Sequence, residues 1–248
     1  MSVAEIHGKI SRSGSNISDR LEDLLTSDIF GPLRYMPSAK ALKPVLERSQ
    51  RYCGNNYFKI SNNSENVVPK LHFWPKLTKS EPDIVIEYDN QLIMIEAKFR
   101  SGKSGHFSGV NDDEVAKYQD ASSDQLGREF ADLQNYQGVF DSRVLIYVTA
   151  HRTIPLNDIN AGKQSLLITQ KDHSAIGDIY EKNTYWLSWF QIYDSINCLL
   201  LETDNTYHRC ILSDINQLLF NKGFRKFKGY DVLNINQIPH LSKKIFYT

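Results

Sequence analysis

Two short apolar runs, Ile84–Val85–Ile86 and Leu92–Ile93–Met94–Ile95, flank Tyr88–Asp89–Asn90–Gln91. Ile- and Val-rich runs separated by turn residues predict a β-hairpin. With Asp89 and Asn90 as a two-residue turn, Tyr88 faces Gln91, and further along the ladder Asp83 faces Glu96. Upstream, Ile17, Leu21, Leu24, Leu25 and Ile29 recur at i, i+4, i+7 and i+8, which predicts a helix. Ser15, Asn16 and Ser18 are its capping candidates, and Gly31–Pro32 is the expected stop. Residues 38–51 read as a second helix, with Ala39, Leu42 and Leu46 on one face and Pro44 disturbing its early turns. Residues 52–69 are turn-rich and read as a loop with room for a short strand at 57–60, and residues 71–74 read as a strand ended by Pro75.

Beyond the hairpin, residues 109–121 are acidic and irregular. A helix is expected from Ser122 or Ser123, with Leu126, Phe130 and Leu133 as its apolar face and Asp124 suiting the N-terminal dipole. The apolar run at 143–149 reads as a strand, and 156–174 as a polar, loop-rich connection with a short strand at Leu166–Leu167–Ile168. The aromatic stretch 184–189 favours a further strand. Two closing helices are expected over 190–201 and 211–221, the second ended by Gly223. Residues 1–16 read as a mobile arm, leaving 17–248 as one domain.

Composition narrows the setting more than the function. No apolar run approaches the roughly 20 residues of a membrane span, and no signal-peptide core is evident near the N-terminus. Cys53, Cys198 and Cys210 are scattered without zinc spacing, which favours a reducing, cytoplasmic setting. The formal net charge is zero, so a polynucleotide site has to be a local patch or depend on a partner for delivery.

The chemistry concentrates at the hairpin's open end. Residues directly opposed across a ladder have Cβ atoms about 4.5–5.5 Å apart, and Lys98, two residues beyond Glu96, points to the same side. Opposed like charges destabilise a ladder, and carboxylates leaving water need a partner or a metal. A structural Lys98–Glu96 pair at a strand edge, with Asp83 merely starting its strand, explains the same residues without chemistry.

Pro82–Asp83 followed by Glu96–Ala97–Lys98 resembles the PD-(D/E)xK signature of restriction-endonuclease-like nucleases. The resemblance implies an α/β fold, with a mixed central sheet flanked by helices, a restriction-endonuclease-like core and here a C-terminal helical elaboration. It also implies Mg²⁺-dependent phosphodiester hydrolysis, with Mn²⁺ able to substitute. Asp83, Glu96 and the backbone carbonyl of Ala97 would hold the metal, and Lys98 would be the catalytic lysine, removable with loss of cleavage but not of fold. Many members carry an extra acidic residue on the first core helix, for which Glu22 is the candidate and Glu47 the weaker rival. Some branches bring a glutamine from the helix after the hairpin to the site, a position that Gln125 fills. DNA is favoured over RNA as substrate. With no sequence-reading module evident, specificity would come from a partner subunit, a homo-oligomer or substrate structure. Similar compact nucleases serve bacterial anti-phage or restriction systems.

Other residues suggest contacts with phosphates. Arg100 and Lys103 lie in a Gly- and Ser-rich segment expected to rim the cleft. Lys222, Arg225, Lys226 and Lys228 interleave with Phe224, Phe227 and Tyr230, the composition of a nucleic-acid-contacting patch. His151 and Arg152 follow the 143–149 strand and are placed near the cleft. Two further readings stay open: a nuclease-like binding or assembly subunit that does not cleave, and a P-loop nucleotide-binding protein built on Gly102–Lys103–Ser104.

Overall fold

The computed structural model describes residues 17–60, 68–99, 124–169 and 173–225. The 1–16 arm, the segment 109–121 and residues Arg100, Lys103, Lys226 and Lys228 lie outside the described residues, as does the Gly102–Lys103–Ser104 segment.

The hairpin sets the frame. Strand β3 (Ile84–Tyr88) pairs antiparallel with β4 (Gln91–Lys98) in the expected register, Tyr88 opposite Gln91 and Ile84 opposite Ile95. Asp89 takes a φ of 54°, the positive value that a two-residue hairpin turn needs at its first position. Outside β3 lies β2 (Lys70–Phe73), antiparallel to it. On the other side β4 pairs in parallel with β5 (Ser142–Thr149), and β5 in parallel with β6 (Thr184–Ser188). The two-residue β1 (Gln50–Arg51) closes that edge antiparallel to β6, giving the mixed order β1-β6-β5-β4-β3-β2.

Side-chain alternation along these strands builds two apolar layers. Ile84, Ile86, Ile93, Ile95, Val144, Ile146 and Leu187 face one side. That side is covered by α1 (Ile17–Leu33), the short α2 (Leu42–Leu46), α6 (Trp189–Glu202) and α7 (Thr206–Asn221). Val85, Met94, Leu145, Tyr147 and Trp186 face the other, under α3 (Gln125–Asn135), α4 (Leu156–Thr169) and α5 (His173–Asn183). The expected α/β class, a mixed sheet flanked by helices, is what forms, with seven α-helices among the described residues.

Several expectations are corrected. The 156–174 connection is not a loop with a strand but helix α4, followed by α5. Ile159, Gly162 and Leu166 form its buried stripe, and Gly127 of α3 meets it there. A Cβ on Gly127 would lie 2.8 Å from the Gly162 carbonyl, so two glycines let these helices touch backbone to backbone. Residues 38–51 are not one helix. A 3₁₀ turn at Ser38–Lys40 is separated from α2 by Ala41 at φ −146° and ψ −83°, and Gln50–Arg51 leaves the helical path to join the sheet. Helix α1 runs through Gly31–Pro32 to Leu33, and α7 starts at Thr206, earlier than expected. Helix α3 is capped by the Asp124 carboxylate, which accepts from Leu126 N–H at 3.0 Å.

Candidate active site

The carboxyl ends of β4 and β5 form one rim of the sheet, the usual place for sites in parallel α/β sheets. By alternation Met94, Glu96 and Lys98 point toward the α3–α5 layer, the side Val85 also faces. The β3 ladder ends at Ile84–Ile95, leaving the next edge N–H groups of β4 without a strand partner. Two carboxylates take that place. Asp83 Oδ2 accepts from Ala97 N–H at 2.7 Å, and Glu22 Oε2, from α1, accepts from Phe99 N–H at 2.9 Å. In a strand the N–H and C=O of one residue share an edge, so the Ala97 carbonyl lies on the Asp83 side.

Lys98 is the hub of this rim. Its Nζ lies 2.6 Å from Glu96 Oε1 and 3.0 Å from Glu22 Oε1, which ties α1 to the end of β4 through one ammonium. Gln125 donates to the same Glu96 oxygen at 2.5 Å. Asp83 is braced by the Trp74 indole N–H at 3.1 Å. Trp74 holds a φ of 46°, a left-handed conformation costing about 1–3 kcal/mol in a non-glycine residue, so the surroundings hold it in place.

Burial dominates the electrostatics. Asp83 and Glu96 are 7% and 1% exposed. Desolvation, then the nearness of Glu96, holds the Asp83 carboxyl well above the usual range. Desolvation, then Glu129, does the same to Glu96. Burial works against the charge on Lys98, but Glu96, Glu22 and Asp83 outweigh it and keep the amine protonated.

No protein family, curated protein or solved structure matches this chain.

The rim thus brings together Asp83, Glu96, Lys98, Glu22 and Gln125. Glu47 is elsewhere, accepting from Ile60 N–H at 3.1 Å. His151 is exposed and contacts Thr149, while Arg152 stacks 4.1 Å over Phe190. Of the basic residues, Lys222 sits 5.7 Å over the Phe99 ring, beside the rim, and Arg225 lies 5.1 Å over Phe220.

One member of the site went unforeseen. Glu129, one helical turn after Gln125 on α3, is fully buried and lies against Glu96. Burial pushes its carboxyl up to about 7. It occupies the apolar stripe itself, three residues after Leu126 and four before Leu133. An acid inside such a stripe is the signal that could have found it. Two ionised carboxylates cannot donate to one another, and Glu96 Oε2 and both Glu129 oxygens are buried without a well-formed hydrogen bond among the described residues, although the Gln125 amide lies close to Glu129. A hydrogen bond between the two forms only if one of them carries a proton.

Orphaned buried oxygens suit a hard cation, which takes one or two carboxylates and retains waters. Among the described residues, however, no three His, Cys, Asp or Glu side chains stand ready-gathered at ligand spacing. A dedicated all-protein cage is therefore not what this rim offers. Its donor set is a carboxylate pair with Asp83 and the Ala97 carbonyl alongside, and that fits Mg²⁺ or Mn²⁺. Two surface clefts, about 500 and 600 Å³, share Pro44 and Arg48 and include none of these residues. Their linings mix exposed charges of both signs, so the buried rim carries the stronger chemical argument. No helix among the described residues is long and apolar enough to cross a membrane.

Proposed function

We propose that this protein is a metal-dependent nuclease that hydrolyses phosphodiester bonds, with DNA as the favoured substrate and internal cleavage as the favoured mode. The observation that carries this reading is the convergence of Asp83, Glu96 and Lys98 on one face at the open end of a buried hairpin. It is the arrangement expected from the likeness to PD-(D/E)xK nucleases. A Mg²⁺ bound by Glu96 and Asp83, with the Ala97 carbonyl, would supply a water of lowered pKa and neutralise charge on the leaving oxygen. Lys98, kept protonated by its acidic neighbours, directs a positive charge at the phosphoryl group as negative charge develops there. Glu22 and Gln125 hold the ends of this network, positioning Lys98 and Glu96 respectively. Lys222, at the rim over Phe99, supports contact with the polynucleotide backbone. Lack of an evident sequence-reading module supports specificity from a partner subunit or second copy, and a restriction or anti-phage role follows by analogy alone.

A second reading draws on a specific observation. Both Asp83 oxygens already accept hydrogen bonds, and Lys98 is held by two carboxylates, so the set is satisfied internally as in a non-cleaving binding subunit. The two readings separate in one assay. Purified protein with Mg²⁺ or Mn²⁺ is offered plasmid, linear duplex and single-stranded DNA, and RNA, beside the Asp83→Ala variant. Cleavage that vanishes in the variant supports the nuclease. Equal cutting by the variant refutes the site, and folded protein that binds these polymers without cutting them favours the binding subunit.

A further inference from the structure

We propose that Glu129, supplied by helix α3, is a metal ligand, and that the divalent cation seats between its carboxylate and the free oxygen of Glu96. This deepens the nuclease reading and rests on it. No motif assigns a role to Glu129. Glu96 and Glu129 lie against each other, and three of their buried oxygens, Glu96 Oε2 and both of Glu129, make no well-formed hydrogen bond among the described residues even with the Gln125 amide close by; Glu129 is 0% exposed. An unpaired buried carboxylate is among the most costly groups a core can hold, and it is tolerated where a cation or proton completes it. The other Glu96 oxygen is already committed to Lys98 and Gln125, so Oε2 is the one left to complete a cation's shell. Gln125 and Glu129 stand one turn apart on α3, so one helix face both steadies Glu96 and presents the second ligand. Two carboxylates with several retained waters are what Mg²⁺ or Mn²⁺ ordinarily requires. Asp83, whose oxygens are turned to Ala97 N–H and the Trp74 indole, then flanks the cation and is not its main anchor.

The test is Mn²⁺ binding by the full chain, followed by the loss of the free-ion electron paramagnetic resonance signal and by the rise in Tm on adding Mn²⁺. Wild type is compared with Glu129→Gln, Glu129→Asp, Glu96→Gln and Asp83→Asn, all first melted in EDTA to establish folding. The expected result is a loss of at least tenfold in Mn²⁺ affinity for Glu129→Gln and Glu96→Gln, with an intermediate loss for Glu129→Asp and the smallest for Asp83→Asn. Binding by Glu129→Gln as tight as wild type, while Glu96→Gln is impaired, overturns the role of Glu129 and leaves the nuclease reading standing. Glu129-dependent Mn²⁺ binding by a protein that cuts none of the substrates above upholds the site and overturns the nuclease reading. No Mn²⁺ binding by wild type overturns both and leaves a shared proton as what joins the two carboxyls.

Discussion

The burial of Lys98 changes what its removal should do. As a transition-state group alone it could be truncated without harm to the fold. In the structure its Nζ is within 3.0 Å of both Glu96 and Glu22, and its side chain is 13% exposed. Deleting one partner of a buried pair leaves uncompensated charge, which costs about 3–5 kcal/mol. Set against a typical total of about 5–15 kcal/mol, Lys98→Ala is expected to be severely destabilised as well as inactive. The assay is urea unfolding in EDTA at pH 7.5, followed by tryptophan fluorescence. Glu96→Gln/Lys98→Ala is the companion variant: neutralising the stranded carboxylate should recover a large part of the loss. The pH dependence has a definite sign. The raised pKa of Lys98 means that its own titration lowers stability only in strong alkali, so between pH 5 and 8 any change in its contribution comes from its carboxylate partners. The raised carboxyls of Glu96 and Asp83 take up protons as pH falls. The deficit of Lys98→Ala should therefore shrink toward acid pH. A Lys98→Ala midpoint equal to wild type, or a deficit that grows on acidification, would refute the account of Lys98 as the counter-ion of this rim.

Three further outcomes follow from the same geometry. In EDTA, the Glu129 carboxyl, raised by burial from 4.5 to about 7, makes the folded state bind more protons than the unfolded chain over that window. Stability should then fall as pH rises from about 4.5 through about 7, by at most roughly 3 kcal/mol from this group. Glu129→Gln should flatten that slope in a Tm series, and an unchanged slope would show that other groups govern it. Gly162→Ala places a Cβ 2.7 Å from the Tyr180 hydroxyl and 2.8 Å from Leu126 Cβ, so overpacking should cost about 1–3 kcal/mol; a melt matching wild type would mean that α3 and α4 can part at no cost. Trp74→Phe keeps the ring but removes the donor to Asp83, with an expected loss of about 1–3 kcal/mol in urea unfolding. Unaltered stability in that variant would argue that the indole does not hold the carboxylate.

What could be read from the chain divides by the range of the contacts involved. The hairpin was legible because its determinants are local: Ile and Val alternating across two adjacent runs, with a two-residue turn that fixes register at Tyr88–Gln91. Once the register is set, the meeting of Asp83, Glu96 and Lys98 follows from parity. Glu22 and Gln125 were reachable only because α1 and the first turn of α3 were identified and the family likeness supplied the expectation. Helix α4 was not legible. Asn157, Asp158, Asn160, Gly162 and Ser165 are weak helix formers, and Leu166–Leu167–Ile168 reads locally as a strand. Its helicity is imposed by Gly127 and Tyr180, which approach it from α3 and α5. Strand β1 was hidden for a related reason. Two residues carry no periodicity, and Gln50 and Arg51 become a strand only against Trp186 and Tyr185 far along the chain.

Glu129 shows how a balanced composition can conceal an imbalance. Lysine plus arginine equals aspartate plus glutamate, 29 of each, over the whole chain. At the rim, the acids Glu22, Asp83, Glu96 and Glu129 surround Lys98, the one buried cation among the described residues there, so that acids outnumber buried cations. Backbone N–H groups and the Trp74 indole soften this for Asp83 and Glu22, whereas Glu96 Oε2 and the two Glu129 oxygens make no well-formed hydrogen bond among the described residues, the Gln125 amide alone lying close to Glu129. Like charges this close in a low dielectric cannot all persist, so the folded chain must carry protons there or recruit positive charge from outside. Glu22 and Asp83 cap the edge N–H groups of Phe99 and Ala97, but a structural ion pair between Lys98 and Glu96 has no need of Glu129, which adds desolvation cost. A sequence under pressure for stability alone would replace Glu129 with the leucine or methionine its stripe position favours. The acid retained there costs stability in isolation, and a bound divalent cation is the partner that would turn it to advantage.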